Sequence, residues 1–223
     1  MNQDELSLQT LTEDQFNLLS TLKKEYETGM LALNSLGAQT FTFYGGHMVT
    51  EDDQAYKLVK SVAMELARRN WGIVSGGGPG IMSAALEGAK IVSGKAIAFC
   101  INIEDEQTIQ QHRDVSLTFT HFSARKYVLR QSDAFAFAPG GFGTLDELME
   151  LVTLINTHKY PKKPIFLLDS KFWEGYIKWF REILLNERRV VDPNFMNIFK
   201  LVDSSDEVLS ELYKDVDAVD VIT

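Results

Sequence analysis

Three features that define large classes of protein are missing from this sequence. It contains one cysteine, Cys100, so no disulfide can form within the chain, and the apolar run of residues 96–101 predicts a buried, unreactive thiol. No apolar run approaches the roughly 20 residues that a membrane-spanning helix needs. Residues 1–5 are acidic and lack the charged-then-apolar pattern of a signal peptide. We therefore expect a cytoplasmic protein that does not enter a membrane.

Basic residues are also scarce. The chain of 223 residues has 22 Lys and Arg against 31 Asp and Glu, which gives a formal net charge of -9. Surfaces that bind nucleic acid are basic, so this balance argues against a nucleic-acid partner. It leaves room for a small anionic ligand, because a few backbone N–H groups and one Arg can hold a phosphate inside an acidic protein.

Standard motifs for metals and large nucleotides are absent as well. The four histidines show no metal-ligand spacing. Two of them, His47 and His121, fall near the predicted ligand-binding edge, where either a ligand contact or a structural role fits. The glycine-rich loops lack the Lys-Ser/Thr ending of a P-loop and the spacing of a dinucleotide fingerprint. A mononucleotide or a sugar phosphate therefore fits these loops better than a full dinucleotide does.

Strand and helix patterns alternate from Gln39 onward. Six apolar strands are predicted, at residues 40–44, 71–74, 95–101, 115–120, 134–138 and 164–168. Helices are expected between them, from about residue 51 and over 79–91, 124–131 and 144–157. Helices are also expected through most of the chain after the last strand. Continuous apolar strands between helices indicate a parallel sheet that is covered on both faces. The predicted fold class is α/β, a Rossmann-like parallel sheet with helices on both faces.

A further helix is predicted at residues 12–33, before the alternating region. Thr12 and Gln15 form a capping box, and an apolar stripe recurs at helical spacing in Phe16, Leu19, Leu22, Tyr26 and Met30. This helix is expected to pack on the core or on a second subunit. The domain prediction is an N-terminal helical arm at 1–36 and a Rossmann-like nucleotide-binding catalytic domain at 37–223.

Three glycine-rich loops follow predicted strands at the carboxyl edge of the sheet, where open α/β sheets bind ligands. They contain Gly45 and Gly46, residues 76–80, and residues 140–143. Each leads into a helix N-terminus, where free N–H groups and the helix dipole favour an anion. Any one loop is also explained by a tight turn, but three at one edge favour a ligand site.

Charged side chains lie beside these loops. Arg125 and Lys126 follow the fourth strand. For a phosphate or carboxylate ligand, Arg125 offers a planar guanidinium fork and Lys126 a point charge. Glu147 and Glu150 lie one turn apart on the helix after the third glycine loop. An alternative is structural: with Thr144 as N-cap, Glu147 would complete a capping box.

Residues 75–82, 123–126 and 139–147 together resemble the Lonely Guy family, in which the Pro-Gly-Gly-x-Gly-Thr-x-x-Glu pattern is specific. These enzymes are cytokinin riboside 5'-monophosphate phosphoribohydrolases, long mislabelled as lysine decarboxylases. The resemblance covers about residues 41–173. It implies hydrolysis of adenosine-type monophosphates to free base and ribose 5-phosphate, without metal or organic cofactor, in a homodimer or larger homo-oligomer.

By the same resemblance, Arg125 and Glu147 match the family's catalytic pair, and Lys126 accompanies the Arg. The residues expected to bind the substrate or its phosphate, together with Glu150, are Gly45, Gly46, Gly77, Gly78, Met82, Gly140, Gly141, Gly143 and Thr144. Two stretches depart from the family pattern. Residues 44–47 read Tyr-Gly-Gly-His where relatives commonly have Gly-Ser, and segment 103–113, with Glu106 and Gln107, is expected to shape base specificity.

The runner-up function is a nucleotide-binding or molybdenum-cofactor carrier protein of the same fold, without turnover. Arg125 and Glu147 favour the enzyme, because a pure binder needs no carboxylate near the ribose. The decarboxylase label finds no support, since a pyridoxal enzyme needs a Schiff-base Lys in its own context. The preferred base does not follow from the sequence.

Overall fold

The computed structural model describes residues 11–103, 112–193 and 197–214. Within them, seven parallel strands form one sheet in the order β4-β3-β2-β1-β5-β6-β7. The strands are β1 (Thr40–Tyr44), β2 (Gly72–Ser75), β3 (Ala96–Ile101), β4 (Val115–Phe119), β5 (Ala134–Phe137), β6 (Ile165–Leu168) and β7 (Lys200–Val202). Their neighbours all pair in parallel.

Helices connect these strands. They are α1 (Glu13–Asn34), α2 (Gln54–Arg68), α3 (Ile81–Ile91), α4 (Phe122–Leu129), α5 (Phe142–Asn156), α6 (Ser170–Trp179) with a π-helical continuation (Phe180–Glu187), and α7 (Ser205–Tyr213). Side-chain caps fix several of their starts. Thr12 forms the predicted capping box with Gln15, and Asp53 and Ser204 accept bonds from backbone N–H groups at the starts of α2 and α7. No helix in these ranges combines the length and apolar character needed to cross a membrane.

The core consists of two apolar layers, one on each face of the sheet. β5 shows how the strands supply both: Ala134 and Ala136 pack into the layer with α2, α3 and α7, and Phe135 and Phe137 into the layer with α1, α4, α5 and α6. Because side chains alternate along a strand, a strand that is covered on both faces is apolar at most of its positions. The predicted α/β, Rossmann-like fold with helices on both faces is confirmed.

Two elements refine the sequence-based description. The region after β6, predicted to be mainly helical, also contains the edge strand β7, whose three residues are too few to show an alternating pattern. Helix α1 confirms the predicted helix at 12–33 and packs its C-terminal half on the domain, where Gly29 and Leu33 are buried. The division into an arm and a catalytic domain stays a prediction.

Candidate active site

A cavity of about 630 Å³ opens where β1 and β5 end. From β1 the sheet grows one way through β2, β3 and β4 and the other way from β5, so this is the switch point of the topology. Ala138 N–H donates to the Tyr44 carbonyl (2.9 Å), and Gly46 N–H donates to the Pro139 carbonyl (2.9 Å). These bonds hold the first and third glycine loops side by side.

All three predicted glycine loops border this cavity. The second loop packs tightly: a Cβ on Gly77 would lie 2.0 Å from Cys100 Sγ, and one on Gly78 would lie 2.6 Å from Met82 Cε. Gly80 has a φ of +69°, and a Cβ added there would lie 2.4 Å from the carbonyl oxygen of Gly46. Only glycine fits at this position. The first and second loops therefore pack directly against each other.

The third loop is built differently at its two ends. A Cβ on Gly140 would lie 2.2 Å from Thr144 Oγ1, so this glycine makes room for the buried Thr144. At Gly141 and Gly143, by contrast, an added Cβ would meet no heavy atom of the described chain within 4 Å. Both residues are exposed and border the cavity. The described fold therefore does not require glycine at these two positions, and glycine leaves the backbone there open to the cavity.

Helix α5 begins two residues earlier than the sequence predicted. Its N-cap is Gly141, and its first helical bond runs from Leu145 N–H to the Gly141 carbonyl. The alternative capping box of Thr144 and Glu147 is therefore wrong: Thr144 is the third helical residue and Glu147 the sixth. The chain passes from β5 through Gly140 directly into the helix. Residues 142–144, which border the cavity, therefore have backbone N–H groups without helical partners.

Arg125 and Glu147 meet in the cavity wall, as an ion pair with 3.3 Å between Nη1 and Oε1. The Arg125 Nε–H donates to the Phe99 carbonyl (2.7 Å), which fixes the guanidinium. Side-chain exposure is only 10% for Arg125 and 13% for Glu147. Burial raises the pKa of Glu147 to about 7, although the Arg125 charge opposes this. Near neutral pH the carboxyl group therefore occupies both protonation states.

Lys126 also borders the cavity, held by two carboxylates of α5. Its Nζ lies 2.9 Å from Asp146 Oδ2 and 3.0 Å from Glu150 Oε2. Burial lowers the pKa of Lys126, but these hydrogen bonds outweigh it and raise the pKa above its ordinary value. Glu150 also pairs with Arg130 at 2.6 Å. Of the predicted site residues, Glu150 is the one outside the cavity lining formed by the described residues.

Several cavity residues were not predicted from the sequence. The principal ones are Tyr44, Cys100, Phe122, Phe142, Asp146 and Phe172. Asp146 was detectable in principle, because it lies four residues before Glu150 and both carboxylates reach Lys126. Cys100 is buried as expected, yet it borders the cavity beneath Gly77.

His47 and His121, for which the sequence allowed either a ligand contact or a structural role, lie in different surroundings. His47 is exposed at the cavity, whereas His121 is the N-cap residue of α4 and contacts Glu25. Among the described residues, no group of three or more His, Cys, Asp or Glu side chains is placed to hold a metal ion. Glu106 and Gln107, with the rest of 104–111, lie outside the described residues.

Comparison with known sequences gives consistent matches. A family model described as "possible lysine decarboxylase" matches residues 82–212, more than half of the chain. The cytokinin riboside 5'-monophosphate phosphoribohydrolase of Mycobacterium tuberculosis is 28% identical over 69% of this chain and 82% of its own. A probable cytokinin riboside 5'-monophosphate phosphoribohydrolase of Oryza sativa subsp. japonica is 31% identical over 59% of this chain and 68% of its own.

Solved structures share the fold at low identity. The molybdenum cofactor binding protein of Rippkaea orientalis matches with a TM-score of 0.59 and 20% identity over 80% of this chain and 97% of that one. The molybdenum cofactor carrier protein of Chlamydomonas reinhardtii matches with a TM-score of 0.58 and 16% identity over 79% and 97%. At such identities the likeness shows the fold alone.

Proposed function

This chain belongs to the Lonely Guy family, and from that membership and the cavity's geometry we propose that it hydrolyses the N-glycosidic bond of a nucleoside 5'-monophosphate. The products are the free base and ribose 5-phosphate. Arg125 and Glu147 are the proposed catalytic residues, and the three glycine loops bind the phosphate and the sugar.

The observation that carries this proposal is the position of Glu147 on α5. The helix begins at the third glycine loop and carries a buried carboxylate at its sixth residue, beside Arg125. At a rise of about 1.5 Å per residue, the free N–H groups and Glu147 are separated by roughly 5 to 8 Å along the axis. A ribose 5-phosphate spans such a gap with its phosphate at the helix start and its C1' near the carboxylate.

The carboxylate suits the chemistry of the bond that breaks. As the base leaves, positive charge develops on the sugar ring, and an ionised Glu147 stabilises that charge or activates the attacking water. The low exposure of the site strengthens both effects. Arg125, anchored on the Phe99 carbonyl, orients the carboxylate and contacts either the ligand or the departing base.

The remaining predicted residues take supporting roles. Gly141, Gly143 and Thr144 offer backbone N–H groups to the phosphate, and Lys126 supplies a positive charge that Asp146 and Glu150 hold in place. Other predicted residues line the cavity wall: Gly45, Gly46, Gly77, Gly78 and Met82. Exposed aromatic side chains at the cavity, Phe122, Phe142 and Phe172, provide flat apolar surfaces for a purine of the adenine type.

The cavity does not fit pyridoxal chemistry, despite the description of the family model. A Schiff base forms from a neutral amine, and Lys126 is the one lysine among the described residues that borders the cavity. Two carboxylates bind it and keep its pKa above the ordinary value, which favours the ammonium form. We derive no decarboxylation step from this site.

The competing hypothesis is a carrier that binds a phosphate-bearing ligand without turnover, the role named for the two molybdenum-cofactor proteins that share the fold. Burying Glu147 beside an anion-binding loop weakens anion binding. A carrier gains nothing from that arrangement, whereas a glycosidase requires it. The Arg125–Glu147 pair therefore favours turnover.

Incubation of the protein with AMP and with adenosine tests this function. We expect adenine and ribose 5-phosphate to appear in equal amounts from AMP, with kcat/KM far higher for AMP than for adenosine, because phosphate binding orients the sugar for reaction. A panel of nucleoside monophosphates, including cytokinin ribotides, then gives the base preference. Binding of AMP without release of base would favour the carrier, and equal kcat/KM for both substrates would contradict the role of the glycine loop.

A further inference from the structure

Helix α1 contacts the chain at the point where the helix carrying Arg125 begins. Glu25 Oε1 accepts a hydrogen bond from Thr120 N–H (2.6 Å), and Glu25 Oε2 lies 3.0 Å from Nδ1 of His121, the N-cap residue of α4. An ionised carboxylate only accepts hydrogen bonds, so this His121 nitrogen donates. The Glu25 side chain is 11% exposed, which makes the contact a tertiary one rather than a surface pairing.

The charge of Glu25 suits this place. A helix start carries partial positive charge from its unpaired N–H groups, and His121 turns its own side chain towards Glu25 instead of capping the helix. Burial raises the pKa of Glu25, but the bonds from Thr120 and His121 outweigh it and hold the pKa below its ordinary value. Glu25 is therefore an anion at neutral pH.

Further contacts fix α4 against α1 along its length. The rings of Tyr26 and Tyr127 meet edge to face at 4.9 Å. Gly29 lies so close to Val128 that a Cβ there would be 2.7 Å from its Cγ2. Helix α4 thus rests on α1 with one side and carries Arg125 and Lys126 to the cavity.

We infer that Glu25 is a positioning residue for the hydrolysis, which fixes the start of α4 and through it the Arg125 guanidinium and the Lys126 ammonium. Arg125 N–H donates to the His121 carbonyl (3.1 Å), so a shift of residue 121 is passed directly to Arg125. A catalytic group must be held within about half an ångström of its productive place. The reaction part of this inference rests on the proposed function. Glu25 precedes the 82–212 region matched by the family model.

The test compares Glu25→Gln with Glu27→Gln. Both variants remove one negative charge from α1, but Glu27 is exposed, and within the described part of the chain its ion pair is with Lys23 of the same helix. Three measurements are made on each folded protein: hydrogen exchange of the α4 amides, kcat for AMP, and the Kd of ribose 5-phosphate. His121→Ala serves as a second variant that removes the other half of the contact.

We expect Glu25→Gln to speed amide exchange in α4 and to lower kcat, each by roughly tenfold. This factor corresponds to the free energy of one hydrogen bond to a charged group. The Kd of ribose 5-phosphate should change less than kcat, because the phosphate loop lies on α5 and two carboxylates of that helix, Asp146 and Glu150, also hold Lys126. His121→Ala should show the same changes at roughly threefold, and Glu27→Gln should match the wild type.

Unchanged α4 exchange in Glu25→Gln would overturn the inference, and so would faster exchange with wild-type kcat. If Glu25→Gln does not fold, His121→Ala decides by the same measurements. A wild-type protein that releases base from no nucleoside monophosphate overturns the proposed function instead. The exchange data then decide whether Glu25 fixes α4.

Discussion

Among single residues, Glu147 is central to the proposed mechanism, because its surroundings act on its pKa in opposite directions. Burial favours the neutral acid and Arg125 favours the carboxylate, and the balance leaves a pKa of about 7. Neither influence is visible in the local sequence, since both arise from residues distant along the chain. The sequence placed both side chains near the glycine loops but made them a catalytic pair only through the family resemblance, and the structure adds their contact and their burial.

This pKa predicts the pH dependence of the reaction. The charge that develops on the sugar is stabilised by the carboxylate and not by the neutral acid, so kcat/KM should rise with pH and level off above an inflection near 7. Initial rates with AMP between about pH 5 and 9 measure the profile. A rate that falls with pH over this range would mean that Glu147 acts as a general acid, contrary to the mechanism.

Among the elements, the sequence predicted the three glycine loops and six of the seven strands that the described residues form, because apolar runs and glycines are local signals. It missed β7, which is too short to show a period, and it placed the start of α5 at Thr144 instead of Phe142. The second error matters for function. Helix propensity and capping patterns gave Glu147 a structural explanation, and the observed N-cap at Gly141 removes it.

The start of α5 yields a prediction about phosphate binding. Gly143→Ala adds a methyl group that the described fold accommodates, so stability should be unchanged or slightly higher. The methyl group should keep the phosphate from the backbone N–H groups and raise the KM for AMP by roughly tenfold. Steady-state kinetics and thermal unfolding measure both effects.

Gly175→Ala is the matched control, because its Cβ also meets no heavy atom of the described chain within 4 Å and it lies in α6. Its KM should equal that of the wild type. A Gly143→Ala protein with wild-type KM for AMP would show that the phosphate binds elsewhere.

At the scale of the whole molecule, the apolar stripe of α1 divides between two surroundings. Leu22 and Tyr26 pack against the domain, whereas Phe16 is 65% exposed and Leu19 51% exposed. We expect this exposed part to meet a second copy of the chain in a closed homo-oligomer.

Light scattering at micromolar concentration should give a mass of at least twice 25.2 kDa. The double variant Phe16→Asp/Leu19→Asp should lower that mass, because the charges oppose burial of this surface. A wild-type protein that measures 25.2 kDa would refute the homo-oligomer. If the double variant keeps the wild-type mass, the interface lies on another face of the molecule.

Turnover and calorimetry on the same Glu147→Gln protein separate the catalytic role of this carboxylate from substrate binding. Gln keeps the size of the side chain and removes the charge, so we expect kcat for AMP to fall by at least roughly 10²-fold, the lower end of what a positioned acid–base group contributes. AMP binding should survive, because the phosphate loop is untouched. Glu174→Gln, an exposed change on α6, should match the wild type. Near-wild-type turnover by a folded Glu147→Gln protein would mean that this carboxylate takes no part in the hydrolysis.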